Sequence, residues 1–210
     1  MSRTMSVEVF RFDELSEDAK ERAREWWRGC IDSNDFDYVI EDVVRAGEML
    51  GIEFDTHPVK LMNGNTRQDV NVWWSGFNSQ GDGACFEGTY RYAPGALKKL
   101  QKEYSTDYEL HRIAQRLQDA QKPYLYKLVA IVSKTDRYCN ENSVFIDVEH
   151  CGDRYRDISN ADDIDNALRD FCIWIYRQLE NENDYLHGEK QIDDAIRANE
   201  YEFYGNGERV

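Results

Sequence analysis

The apolar residues of this chain change period twice along its length. They recur at helical spacing near both ends and alternate at a period of two through the middle. Near the start, Ala19, Ala23, Trp26, Trp27 and Cys30 share one face behind Ser16. That serine is a predicted N-cap, with Glu17 and Asp18 placed to favour the helix dipole. A second helix is predicted over 36–50, striped by Val39, Ile40, Val43, Gly47 and Leu50 and ended by Gly51. Short connections suggest that these two helices form an antiparallel pair. Toward the other end, Ile164, Leu168, Phe171, Cys172, Ile175 and Leu179 mark a long helix capped by Asn160. Gly188 breaks it before a short helix carrying Ile192, Ala195 and Ile196.

Between the helical ends lie strands. Val7 to Phe12 opens the chain as one, and Ile52 to His57 is another. Asp69 to Ser75 alternates, with Val70, Val72 and Trp74 to one side. Ala84 to Tyr92 also alternates, and the turn-rich stretch from Asn78 to Gly83 reads as the hairpin loop between the two. Pro94 opens a short helix with Leu97 and Leu100, and Asp107 caps the next, with Leu110, Ile113, Ala114 and Leu117 inward. Tyr126 to Lys134 is nearly all apolar and predicts a central strand buried on both faces. After a hairpin loop from Thr135 to Asn142, Ser143 to His150 alternates with Val144, Ile146 and Val148 inward, and Tyr201 to Tyr204 adds an edge strand. This order is not a βαβ alternation. It predicts an α+β fold: an antiparallel sheet of about five to seven strands with helices grouped on it. One domain over 1–210 is expected, with a helix pair at 16–51, a sheet-rich middle at 52–150 and a helical part at 160–200.

No apolar run reaches the length of a membrane span, and the polar start, Met1 to Ser6, is unlike a secretory signal. Five cysteines, Cys30, Cys85, Cys139, Cys151 and Cys172, have no paired spacing. They read as reduced thiols in a cytoplasm, each a small core hydrophobe. The net charge is −15 and is unevenly spread. Residues 13–55 hold 14 acids against 5 bases, and residues 157–208 hold 14 against 4, whereas residues 56–156 hold 12 against 14. Acidic flanks repel phosphates, so direct nucleic-acid binding is disfavoured and a basic partner favoured.

The most distinctive segment runs from Trp73 to Gly88. Gly81-Asp82-Gly83 is followed by a strand rather than a helix, which removes a dinucleotide-binding reading. Asp82 and Glu87 have oxygen-ligand chemistry for a hard cation but are too few to hold one, so Asp82 is expected to bond turn amides. Cys85 and Glu87, two residues apart, should share a strand face. A nucleophilic Cys85 would need His111 or His150 as base through the fold. His150 and Cys151 with Cys139 make a thin zinc pattern without a Cys-x-x-Cys pair. The four histidines, His57, His111, His150 and His187, are expected at the surface or its boundary. Of Trp73 and Trp74 one must leave the face of the other, and an outward Trp73 is a candidate binding anchor. No cofactor motif, metal site or catalytic signature emerges, and a non-enzymatic role is expected. The alternative is a metal-dependent or cysteine enzyme centred on the 80–88 hairpin, at Asp82, Cys85 and Glu87.

A second group of candidates is acidic. Asp32, Asp35 and Asp37 lead into Glu41 and Asp42, and Asp162, Asp163 and Asp165 begin the long helix. They serve as helix caps and solubilising charge, or together as an anionic surface that occupies a basic groove on a partner.

Several stretches carry a resemblance. Glu14-Leu15-Ser16, Ala19-Lys20 and Trp26-Trp27 within Phe12 to Arg28 resemble the opening of many uncharacterised phage and prophage proteins. Trp74-Ser75-Gly76-Phe77 and the run Gln80 to Gly88 resemble their second signature, and Ile196 to Phe203 resembles their ending. Proteins of that kind are sometimes labelled antitoxins of a toxin–antitoxin stability system. The resemblance implies a phage or mobile-element origin and carries over no functional residues. The leading expectation is therefore an acidic binding protein in the host cytoplasm. It would inhibit a host nucleic-acid-binding or defence protein, as anti-CRISPR and anti-restriction proteins do, through a partner with a basic surface and without membrane or direct nucleic-acid contact. The second expectation is an antitoxin that neutralises a cognate toxin.

Overall fold

Ser16 Oγ accepts the Ala19 amide at 3.4 Å and starts helix α1, Glu17–Arg28, in the computed structural model, which describes residues 6–135, 137–152, 158–159 and 161–210. The described chain divides into two compact units. The smaller takes Met1–Asp37 and Asn181–Val210, and the larger takes Tyr38–Glu180.

In the smaller unit the first strand is short. β1, Phe10–Arg11, gives way at once to a 3-10 turn, Phe12–Glu14, rather than continuing from Val7. β1 pairs antiparallel with β10, Glu202–Phe203, so residues from opposite ends of the described chain share a two-stranded ribbon. α1 finds its packing partner in α6, Glu189–Ala198, while the helix expected to pair with it belongs to the other unit. Arg24 joins α1 to α6 through a two-point pair with Asp193, at 2.7 and 3.0 Å. Phe12, Leu15, Ala19, Ala23, Ile192, Ile196 and Phe203 form the core, with Trp26, Trp27 and Tyr201 against it. Cys30, expected on the apolar face of α1, lies past its end at Gly29 and is exposed.

The larger unit begins with α2, Asp37–Leu50. Gly51 ends it at φ +98°, where a Cβ would lie 2.0 Å from the Arg91 carbonyl oxygen, so only glycine fits. α3, Ala96–Glu103, and α4, Tyr108–Gln121, follow the strand region, and Asp107 Oδ1 caps α4 by accepting the Leu110 amide at 2.9 Å. α5, Ala161–His187, buries Ile164, Leu168, Phe171, Cys172, Ile175 and Leu179, the stripe read from the sequence; its last turns belong to the smaller unit. The expected cap, Asn160, lies outside the described residues.

The fold is α+β with antiparallel pairing, yet the sheets are small and split. Instead of one sheet of five to seven strands, the described residues form one four-stranded sheet and three two-stranded ones. The expected strand at 52–57 is two strands, β2, Ile52–Phe54, and β3, Thr56–Lys60. The 69–75 strand breaks into β4, Thr66–Val70, and β5, Val72–Trp74. The 84–92 strand breaks into β6, Ala84–Phe86, and β7, Gly88–Arg91. The three breaks meet. Asp55 N donates to Glu87 O at 3.0 Å, Asn71 N to Asp55 O at 2.8 Å, and Glu87 N to Asn71 O at 2.9 Å. This ring of backbone bonds satisfies the groups left over where each strand leaves one partner for another. β3 then pairs with β4 and β5 with β6, while β2 and β7 join β8, Leu128–Lys134, and β9, Val144–His150, in the order β2-β7-β8-β9.

β8 corrects a further expectation. Leu128, Ala130 and Val132 are buried, but Ile131 is 46% exposed, so the strand is covered on one face and not on both. On β9, Val144 and Ile146 are buried and Val148 is half-buried, as the alternation implied.

Candidate functional site

The glycine-rich hairpin and the break at Glu87 are tied together by a network of polar contacts in the larger unit. Asp82 Oδ2 accepts the amides of Asn78 at 2.9 Å and Ser79 at 2.6 Å, the turn role its position implies. Gly83 lets a second loop close in, because a Cβ there would stand 2.6 Å from Asn140 Cβ. Asn140 Nδ2 in turn donates to Gly81 O at 3.0 Å. The loop also rests on α5, with Phe77 stacked on Tyr176 at 5.8 Å and the Tyr176 hydroxyl donating to Gly76 O.

Glu87 is half-buried and fully engaged. Its Oε2 accepts Asn71 Nδ2 at 2.8 Å and Trp73 Nε1 at 3.4 Å, and its Oε1 accepts the Lys134 amide at 3.1 Å. With Asn71 Nδ2 directed at a carboxylate, Asn71 Oδ1 faces His57 Nδ1 at 2.9 Å, which makes Nδ1 the donor. The His57 ring stacks on Trp73 at 4.7 Å. Trp73 and Glu87 are thus brought together as the hairpin reading grouped them, while Asp82 serves its own turn. His57 and Asn71 complete the cluster. Neither has a local sequence signal, because each is recruited across strands separated by a loop.

Cys85 stands opposite Trp73 in the β5–β6 register and is fully buried. Burial pushes its thiol up to about 12, so the thiolate that nucleophilic catalysis requires is scarce at neutral pH. Cys172 is likewise buried and raised by burial, Cys139 is half-buried, and Cys30 and Cys151 are exposed; the expectation of five core thiols holds for two. His150 is buried rather than at the boundary, and among the described residues its Nδ1 has no hydrogen-bond partner, nor has Nε2 of the half-buried His111. Among the described residues no three His, Cys, Asp or Glu side chains converge as a metal cage would require.

The acidic candidates divide between the units. Asp32, Asp35 and Asp37 lie in the smaller, and Glu41, Asp42, Asp162, Asp163 and Asp165 in the larger. Some are structural. Asp35 Oδ2 accepts the Asp32 amide at 2.8 Å, Asp42 Oδ1 accepts the Tyr104 hydroxyl at 3.0 Å, and Asp165 pairs with Arg169. Burial, aided by Asp42, holds the Tyr104 phenol above its ordinary value. Asp32 and Asp37 are exposed. Glu41, Asp162 and Asp163 are also exposed, and none has an ion-pair partner among the described residues. In the larger unit Arg116 pairs with Asp170, Arg177 with Glu109, and Arg169 with Asp165.

No helix among the described residues is long and apolar enough to cross a membrane. A family model described as a domain of unknown function, DUF8835, matches residues 36–204, a span that leaves out α1. No curated protein and no solved structure matches the chain.

Proposed function

The chain belongs to the DUF8835 family, and on that premise we propose that it is a non-catalytic binding protein whose negative surface engages a positively charged protein partner. The observation that carries this reading is the exposure of Glu41, Asp162 and Asp163 without ion-pair partners among the described residues, in a chain of net charge −15 in which Arg116 and Arg177 are matched internally. The state of the hairpin residues supports it from the other side: Glu87 and Asp82 are occupied by protein donors, and Cys85 is buried as a neutral thiol. The likeness of its opening, hairpin and closing runs to phage and prophage proteins supports a finer form of the proposal. In that form the protein is encoded by a phage or mobile element, and its partner is a host nuclease or other nucleic-acid-binding defence protein in the cytoplasm.

Attraction between such surfaces is long-ranged and screened by salt. A pull-down from bacterial lysate at an ionic strength of about 0.05 M should recover a basic partner that is lost near 0.5 M. The triple variant Glu41→Gln, Asp162→Asn, Asp163→Asn should recover less of it. Recovery of nothing basic at low salt, or equal recovery by the triple variant, would sink the proposal. If the partner proves to be a growth-arresting protein encoded beside this one, and co-expression rescues growth, the antitoxin reading replaces the defence-inhibitor one.

A further inference from the structure

Positions 83 and 85 face the same side of the β5–β6 ribbon, because facing alternates along an extended chain and Ser75 N continues the ladder to Gly83 O at 3.1 Å. The loop between β8 and β9 lies against that side. A Cβ on Gly83 would stand 2.9 Å from Asn140 Cα and 3.1 Å from the Cys139 carbonyl oxygen, and Asn140 Nδ2 donates to Gly81 O at 3.0 Å. Like-facing residues of a strand are only about 6.8 Å apart, so a loop that touches Gly83 also roofs Cys85. The polar groups that bear on the Cys85 thiol belong to this loop and its margins: the Cys139 thiol, the Ser143 hydroxyl and the Lys134 ammonium. Cys85 is 0% exposed, whereas Cys139 is half-buried. Of two adjoining thiols, one can therefore meet a small solute and the other cannot.

We propose that Cys139 and Cys85 form an oxidation site for hydrogen peroxide, which closes to a disulfide and fastens the β8–β9 loop to the glycine-rich hairpin. In the first step the Cys139 sulfur, as thiolate, attacks one peroxide oxygen. The O–O bond breaks, Cys139 becomes a sulfenic acid, and the other oxygen leaves as water with the thiol proton. In the second step the Cys85 sulfur attacks the Cys139 sulfur. The S–S bond forms, the S–O bond breaks, and the hydroxyl leaves as a second water with the Cys85 proton. Two thiols give up two electrons, and one peroxide is reduced to two waters. Burial pushes the Cys85 thiol up to about 12, which bars it from the first step. The second step is intramolecular, because the loop delivers the oxidised sulfur to it. Cys172 also neighbours Cys85 but is fully buried in α5, away from the oxidant. This site is independent of the binding reading above.

The full chain, treated with hydrogen peroxide at neutral pH, alkylated, digested without reductant and read by mass spectrometry, tests this. A peptide pair joined through Cys85 and Cys139 is expected, released by dithiothreitol, with Cys172 recovered as a thiol. Hydrogen exchange of the loop amides at 137–142 should slow in the oxidised protein and recover on reduction. In Cys139→Ser, Cys85 should remain a thiol under the same treatment. In Cys85→Ser, dimedone should trap a sulfenic acid on Cys139. Unfolding midpoints close to the parent's will show that the variants are folded, and the cross-link in the parent chain needs neither of them. Conversion of Cys139 to sulfinic acid while Cys85 stays a thiol overturns the proposal, as does no reaction at either thiol. A Cys85–Cys172 link, or a Cys85–Cys139 link that forms as readily in urea-unfolded chain, overturns it as well. Loop exchange unchanged by the disulfide overturns the fastening.

Discussion

Asn71 and Glu87 are joined twice: the Glu87 amide donates to the Asn71 carbonyl oxygen at 2.9 Å, and Asn71 Nδ2 donates to Glu87 Oε2 at 2.8 Å. The double link locks the point where two long strands change partners. It also orients Asn71 toward His57 and so connects β3, β5 and the break between β6 and β7 through side chains as well as backbone.

Glu87→Ala should therefore act on stability. It strands the Asn71 amide, the Trp73 indole and the Lys134 amide without their acceptor, in a half-buried setting. Unsatisfied donors of this kind cost about 1–3 kcal/mol, and urea unfolding should show a loss in that range. Glu87→Gln retains one acceptor oxygen and should lose less. An alanine variant as stable as the parent would mean that the link is incidental.

Asp107 holds two donors at once, the Leu110 amide and the indole of Trp174 at 2.6 Å, and Trp174 is 1% exposed. Asp107→Ala removes a helix cap and leaves a buried indole unpaired, a combined loss of about 2–4 kcal/mol. Asp107→Asn, which keeps one acceptor, should fall between. Thermal or urea unfolding that ranks Asn below Ala would contradict this assignment.

Thiol reactivity should follow burial. Alkylation of native protein near neutral pH should modify Cys30 and Cys151 first and Cys139 more slowly, sparing Cys85 and Cys172 until the chain unfolds. Mass spectrometry of the peptides reads the order directly. Rapid native modification of Cys85 would restore the case for a catalytic thiol.

Acid should weaken the fold. Hydrogen bonding from Arg197 holds Asp13 below the usual carboxylate range; bonding from Arg28 and then Arg24 does the same for Glu21, and bonding from Arg67 for Asp69. A carboxyl depressed in the folded state contributes stability in full above its unfolded value, and that contribution is lost as pH falls through the folded value. The urea midpoint should be flat above about pH 5 and decline below about pH 4. In Arg197→Gln, the Asp13 carboxyl should titrate in its ordinary range by NMR. A midpoint that holds steady down to about pH 2 would show that these pairs contribute nothing.

The comparison of sequence with structure turns on where each hydrogen bond closes. Ser16, Gly51 and Asp107 act on backbone within a few residues, and each does in the fold what its type and position imply. The stripe from Ile164 to Leu179 is equally local, since helical spacing sets which side chains share a face. The breaks at Asp55, Asn71 and Glu87 could not be read this way. An alternating run looks the same whether its strand pairs with one neighbour throughout or passes from one to another.

The sequence by itself determined the element types, most helix ends and the acidic excess, because capping, period and charge are properties of neighbouring residues. Only the tertiary structure decided that β1 and β10 close on each other, that three strands break together at one ring of bonds, and that β8 keeps an open face with Ile131 and Phe145 on it. These outcomes depend on contacts closed across long loops. Their free energy comes from burial and pairing that no short stretch of chain contains.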